Sequence, residues 1–120
     1  MWEVVTTGEF RDWWSGIPAE SREAIWHDVR VLELEGPRAR RPVVDSVKGS
    51  RHANLKELRT RVGPNQYRVF FAFDPSRRAV LLIGGDKSGD ARFYERMIRL
   101  ADHLYDRHIG RRSDREGSQE

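Results

Sequence analysis

Three strand-like runs follow one another through short turns between His52 and Lys87, and this succession limits the fold more than any other feature. The runs are Leu55 to Val62, Tyr67 to Phe73 and Ala79 to Gly84. Gly63-Pro64-Asn65 and Asp74-Pro75-Ser76-Arg77 separate them, and both are turn formers of the length that closes an antiparallel hairpin. The spacing therefore predicts a three-stranded meander, with the uniformly apolar third run inside the sheet rather than at its edge. Side chains alternate across a strand, so Leu58, Thr60 and Val62 share one face of the first run and Glu57, Arg59 and Arg61 the other. Helices can cover only the apolar face well. Arg59 and Arg61 are accordingly expected on an open face, joined by Arg68 from the neighbouring strand. Lys87 follows just beyond a double glycine that leaves the backbone uncrowded. An unpaired buried charge costs several kcal/mol, so cations converging from three strands belong where a polyanion can meet them. RNA is the expected polyanion. The plainer alternative is that these cations pair with Glu57 and Asp86 and merely solvate a sheet.

The flanking segments read as helices. Trp2 to Val5 is a short apolar run suited to an edge strand, and Thr6-Thr-Gly-Glu9 matches a capping box at a helix start. Phe10, Trp13 and Trp14 continue at helical spacing until Ser15-Gly16. A second helix begins at Pro18, carries Ile25, Trp26, Val29 and Leu32 on one stripe, and stops at Gly36-Pro37. Pro37 to Asn54 is a long basic connection, of which Val43 to Val47 is the part expected to pack down. A last helix, N-capped at Asp90, places Tyr94, Met97, Ile98, Ala101 and Leu104 on one face and ends at Gly110. The fold class is therefore α+β. A small, mainly antiparallel sheet of an N-terminal strand plus the meander is flanked by an N-terminal helical hairpin and a C-terminal helix. Residues 1–110 are read as one domain and 111–120 as a polar, disordered tail. Trp13, Trp14 and Trp26 are expected in the core, as are Phe70, Phe71 and Phe73 for the most part.

Charge is unevenly spread. Residues 1–36 hold three Arg against eight acids, whereas 37–87 hold twelve Arg and Lys against four, and 88–120 hold seven of each sign. A basic block in the strand-rich middle is an electrostatic footprint for phosphates. No cysteine is present, which excludes a disulfide framework, a thiol nucleophile and a cysteine metal site. No apolar run approaches the roughly 20 residues of a membrane span, and the N-terminus does not read as a secretory signal, so a cytoplasmic protein without a membrane partner is expected. His27, His103 and His108 fall on helices without cysteine or paired carboxylates beside them, and neither a metal nor a cofactor is expected.

Particular wording narrows the reading. Lys48-Gly-Ser-Arg-His52-Ala-Asn-Leu-Lys-Glu-Leu-Arg59, the strand Tyr67-Arg68-Val-Phe-Phe-Ala-Phe-Asp74, and Gly84-Gly-Asp-Lys87-Ser-Gly-Asp followed by Phe93-Tyr94-Glu95 resemble the RelE/ParE superfamily of bacterial type II toxins. Within it they resemble the RelE- and HigB-like branch of phage-derived Gp49-like proteins, and the resemblance covers residues 2 to 109. It implies a RelE-like fold and a ribosome-dependent mRNA endonuclease, silenced by an antitoxin encoded beside it. In HigB-like systems that antitoxin is typically a HigA-like helix-turn-helix protein. By position, Arg59, Arg68, Lys87 and Tyr94 match the family's site residues. This chain departs from some RelE-type enzymes, which carry two lysines on the first meander strand and an arginine after the last. Here Lys56-Glu57-Leu58 and Lys87-Ser88 stand in those places.

RNA brings its own nucleophile, the 2′-hydroxyl. Cleavage needs a base for that proton, an acid for the departing 5′-oxygen and cations for the charge building on phosphate. Arg59 and Arg68 suit the phosphate, since a planar guanidinium grips two oxygens at once. Lys87 is a candidate cation or acid, and Lys56, expected beside the arginines, a candidate base. His52 is a further acid–base candidate, as the histidine nearest these strands in sequence. Tyr94 would stack on a base or position the hydroxyl. Lys48, Arg51, Asn54 and Arg61 are expected as RNA contacts around the site. Two other readings remain at this point: a ParE-like poison of DNA gyrase, and a non-catalytic module that binds RNA or the ribosome.

Overall fold

The computed structural model describes residues 1–117, with side chains through Gly110. The chain runs β1 (Glu3–Thr6), α1 (Gly8–Ser15), α2 (Ala19–Glu35), a 3-10 turn (Gly36–Arg38), β2 (Val44–Ser46), β3 (Lys56–Val62), β4 (Asn65–Phe73), β5 (Arg78–Asp86) and α3 (Phe93–Gly117). The five strands form one sheet in the order β1-β5-β4-β3-β2. β1 lies parallel to β5 and every other pairing is antiparallel. The meander and the N-terminal edge strand are thus as the sequence spacing predicts. β2 is an addition: Val44 to Ser46 pairs with Leu58 to Lys56 as the far edge.

Helix boundaries follow capping chemistry. Thr7, one residue later than the sequence pattern suggests, is the N-cap of α1. Its hydroxyl accepts from the Phe10 amide at 2.9 Å and donates to the Leu82 carbonyl at 2.6 Å, which ties the helix start to β5. Pro18 precedes α2, and Gly36 ends it with φ 57°. Asp90 forms a turn ahead of α3, its carboxylate accepting from the Arg92 amide, and the helix itself starts at Phe93. Gly110 does not stop α3, which continues to Gly117. The expected tail 111–120 falls in part on residues 118–120, outside the described residues.

Two apolar layers sandwich the sheet. Phe10, Ile25, Val29 and Leu32 from α1 and α2 pack on Leu58, Tyr67, Val69, Phe71, Ala79 and Leu81. Phe93, Met97, Ala101, Leu104 and Tyr105 from α3 pack on Phe70, Ala72, Val80, Leu82 and Ile83. This corrects the expectation of an open face, because α3 covers the β4 and β5 part of it. The β3 margin and the turn end of the sheet stay accessible, and Arg59, Arg61 and Lys87 lie there. A register irregularity between Phe70 and Phe71 places both Leu82 and Ile83 towards α3.

Gly84 and Gly85 lie just beyond that irregularity. A side chain at Gly84 would collide with the Trp13 ring from one layer, and one at Gly85 would come within 2.8 Å of the Phe93 ring from the other. The double glycine is therefore crowded rather than roomy: it admits an aromatic ring on each side. Trp13 and Trp14 are half-buried and Phe70 and Phe71 fully buried, but Trp26 is 44% exposed, its ring edge-on against Trp14. Its stripe position carries it to the rim of the helical layer instead of the core.

Candidate active site

Arg59 on β3 and Arg68 on β4 are direct cross-strand partners. Two like charges placed opposite each other are unfavourable, and a carboxylate of the same face sits between them. Glu57 Oε1 is 3.9 Å from Arg59 Nε and 4.0 Å from Arg68 Nε. Tyr94, one residue into α3, reaches down to this group. Its hydroxyl donates to Glu57 Oε1 at 3.2 Å and accepts from Arg68 Nε at 3.2 Å. Lys87 Nζ stands 5.8 Å from the centre of the Tyr94 ring. Four expected residues, Arg59, Arg68, Lys87 and Tyr94, are thus brought together, with Glu57 at their centre.

Their exposure separates their roles. The Arg59 side chain is 36% exposed and the Arg68 side chain 5%. Arg68 is not the surface clamp the sequence suggested, since its guanidinium is spent on Tyr94 and on the Tyr67 carbonyl, at 2.9 Å. It positions the site from below, and Arg59, Lys87 and Tyr94 form the accessible rim. Lys87 is fixed by its backbone: its amide donates to Gln66 and its carbonyl accepts from Asp90. Asp86 holds the same turn, accepting from the amides of Gln66 and Ser88 and from the Ser88 hydroxyl. Burial pushes the Asp86 carboxyl up, but those bonds outweigh it and leave its pKa below the ordinary value.

Glu57 is buried, and its second oxygen, Oε2, has no hydrogen-bond partner. Burial raises its pKa above the usual carboxylate value, against the opposing pull of Tyr94, Arg68 and Arg59. Burial also raises the pKa of Tyr94, reinforced by Glu57 and opposed by Arg68, so the phenol stays protonated. Sequence reasoning treated Glu57 only as a neutralising partner. The signal it offered was position: Glu57 shares a face with Arg59, yet an exposed β3 margin needs no carboxylate pointing inward.

Other expected site residues lie elsewhere. Lys56 occupies the opposite face of β3, by strict alternation with Glu57, and its ammonium sits 5.9 Å from the Phe73 ring. It lines a hollow of about 510 Å³ with Arg40, Arg41 and Asp45, on the face away from Arg59 and Arg68, the arginines it was expected to pack against. His52 is bound through Nε2 to Asp106 at 2.6 Å and packs edge-on against Tyr105. That places it eleven or twelve residues along α3 from Tyr94, roughly 17 Å at helical rise. His52 does not belong to the cluster. Arg51 pairs with Asp106, its amide with Asp102, and Asn54 donates to the Phe73 carbonyl and the Tyr105 hydroxyl. With Ser50, which donates to Asp102 at 2.5 Å, these residues fasten the 47–55 loop to α3. Lys48 and Arg61 are exposed. Lys48 lines a groove of about 590 Å³ with Tyr94, Ile98 and Arg99. Among the described residues no three His, Asp or Glu side chains converge as metal ligands would.

Comparison with known proteins bears on family and fold. Residues 12–106 match the model of the family described as phage derived protein Gp49-like (DUF891). The chain is 40% identical over 104 residues to the putative toxin HigB2 of Mycobacterium tuberculosis, covering 85% of this chain and 52% of that protein. It therefore spans about half of that relative's length. The putative toxin HigB3 of the same organism is 39% identical over 100 residues, covering 82% of this chain and 86% of that one. The isolated Escherichia coli RelE toxin superposes with a TM-score of 0.59 at 16% identity, over 83% of this chain and 99% of RelE. RelE in the archaeal RelE-RelB complex of Pyrococcus horikoshii gives 0.55 at 21% identity, over 75% and 98%. The two structural likenesses show a RelE-like fold, and the sequence likenesses show descent: this chain belongs to the phage-derived Gp49-like family.

Proposed function

We propose that the protein is a metal-independent endoribonuclease that cleaves mRNA on the ribosome and so inhibits translation. The observation that carries this reading is the convergence of Arg59, Lys87 and Tyr94 on one accessible margin above buried Arg68 and Glu57. A phosphodiester needs little covalent help, because its own 2′-hydroxyl is the attacking group. What it needs is positive charge at the phosphate and control of two protons. Arg59 has the exposure and the planar guanidinium to hold a phosphate oxygen pair. Lys87 supplies a second cation, on a turn whose backbone is held by Gln66 and Asp90, and serves as the acid for the departing 5′-oxygen. Tyr94 presents its hydroxyl to the nucleophile. Lys48 and Arg61 extend positive charge away from this point along the strand's path.

The same reading includes a cognate antitoxin, encoded nearby and of the HigA-like helix-turn-helix kind, whose acidic or amphipathic segment meets the basic margin. Charge complementarity of this sort mainly speeds association. Inducing the protein alone and mapping transcript 5′ ends, with translation running and with translation blocked, tests the activity. New ends that depend on translation, and vanish in Arg59→Ala, are the expected result. DNA damage signalling without mRNA cleavage would favour a gyrase poison, and RNA or ribosome binding without any cut would favour a non-catalytic module.

A further inference from the structure

We propose that Glu57 receives the proton of the attacking hydroxyl by way of the Tyr94 phenol, so that carboxylate and phenol act together as the base. The inference rests on the RNA-cleaving reading above and assigns the one step that reading leaves without a base. Lys56 and His52, the candidates from sequence, lie on the wrong face and at the wrong end of α3. Half-buried Tyr94 is hydrogen-bonded to the buried Glu57 carboxylate and reaches towards solvent from it. A phenol oxygen has one proton and two lone pairs. The proton is already directed at Glu57 Oε1, and Arg68 Nε occupies one lone pair, so one lone pair remains for an incoming hydroxyl.

The state of Glu57 supports the same assignment. A buried carboxylate oxygen without a hydrogen-bond donor is costly, and gaining a proton relieves that cost. The groups facing it are Tyr94 from α3, Arg59 on β3, Arg68 on β4 and, more weakly, the charge of Asp45 on β2. Burial dominates among them and raises its pKa, which makes it a better proton acceptor than a solvated glutamate. The step balances. The 2′-oxygen passes its proton to Tyr94 Oη, Tyr94 passes its own to Glu57 Oε1, and the 2′-oxygen bonds to phosphorus. The bond from phosphorus to the 5′-oxygen breaks, and that oxygen takes a proton from Lys87. The products are a 2′,3′-cyclic phosphate and a 5′-hydroxyl, and exchange with water returns Glu57 and Lys87 to their starting forms. Glu57 acts here through another residue, and a merely structural Glu57 would leave the pH response untouched.

Single-turnover cleavage of a defined mRNA on purified, programmed ribosomes separates the possibilities. Glu57→Gln and Tyr94→Phe should each lower the rate at saturating toxin by about 10²–10³-fold, the usual span of a lost acid–base group, with ribosome binding unchanged. Both should flatten the ascending limb of the pH–rate profile, and the double variant should fall no further than either single one. A folded Glu57→Gln protein with the parent's rate and pH profile overturns the relay and leaves the RNA-cleaving reading intact, as does a double variant whose losses multiply. If Glu57→Gln does not fold, Tyr94→Phe decides, since it leaves Glu57 in place: a lost pH limb supports the relay and a parental one overturns it. A parent protein that cuts no RNA removes the relay and the RNA-cleaving reading together.

Discussion

Arg59 and Arg68 face each other across two strands, yet removing them should fail the protein in different ways. Arg59→Ala is expected to abolish most cleavage while leaving the melting temperature near the parent's, because the side chain is part-exposed and makes one long ion pair. Arg68→Ala strips Tyr94 and Glu57 of their buried cation, and should cost about 3 kcal/mol of stability as well as activity. Denaturant unfolding of both variants beside the cleavage assay checks the contrast. Two carboxylates should respond to pH with opposite signs. The pKa of Asp74 is pushed up by burial but held below its ordinary value overall by His108 and Arg78, so its stabilisation is present above about pH 4 and lost as pH falls. Asp74→Asn should therefore lower the melting temperature at pH 7, and the gap should close in acid. Glu57, raised by burial, contributes stability below about pH 4 that is lost as pH rises. Glu57→Gln should consequently melt no lower than the parent at pH 7, which melting curves across the pH range would show. The cationic members of the site were legible from strand alternation and motif wording. The role of Glu57 was not, because it arises from a contact with Tyr94 thirty-seven positions away.

At the scale of elements, turn chemistry and helix stops act locally, so the meander, the helical hairpin and the last helix could be read directly. β2 could not: three residues have no periodicity, and they become a strand only by docking on β3. The placement of α3 over the face that carries Arg68 also escaped, since nothing in a strand's pattern says which of two available faces a distant helix will cover. The double glycine was read as leaving room for Lys87, when its neighbours are Trp13 and Phe93. Gly84→Ala is accordingly expected to destabilise by about 2 kcal/mol through overpacking against Trp13, measured by denaturant unfolding. The 47–55 loop, which sequence reading enlisted for RNA binding through Arg51 and Asn54 and for catalysis through His52, serves as a clasp on α3.

For the molecule as a whole, the uneven charge predicts a salt response. Binding that neutralises phosphates releases counterions, with a log–log slope of roughly −0.7 per phosphate on a single strand. Arg61→Ala and Lys48→Ala, both at exposed positions, should each make the slope shallower by about that amount without abolishing cleavage at low salt. Affinity measured across a salt series checks this, and unchanged slopes in both would place the RNA surface elsewhere. Tyr94 is carried by α3, whereas Glu57, Arg59 and Arg68 belong to the sheet. α3 follows every other described element in the chain, so during synthesis the sheet leaves the ribosome before the residue that completes the cluster. A nascent chain therefore lacks the completed cluster until α3 has emerged and closed over β4 and β5, and, on the proposed function, that interval separates the making of this protein from cleavage at the ribosome making it.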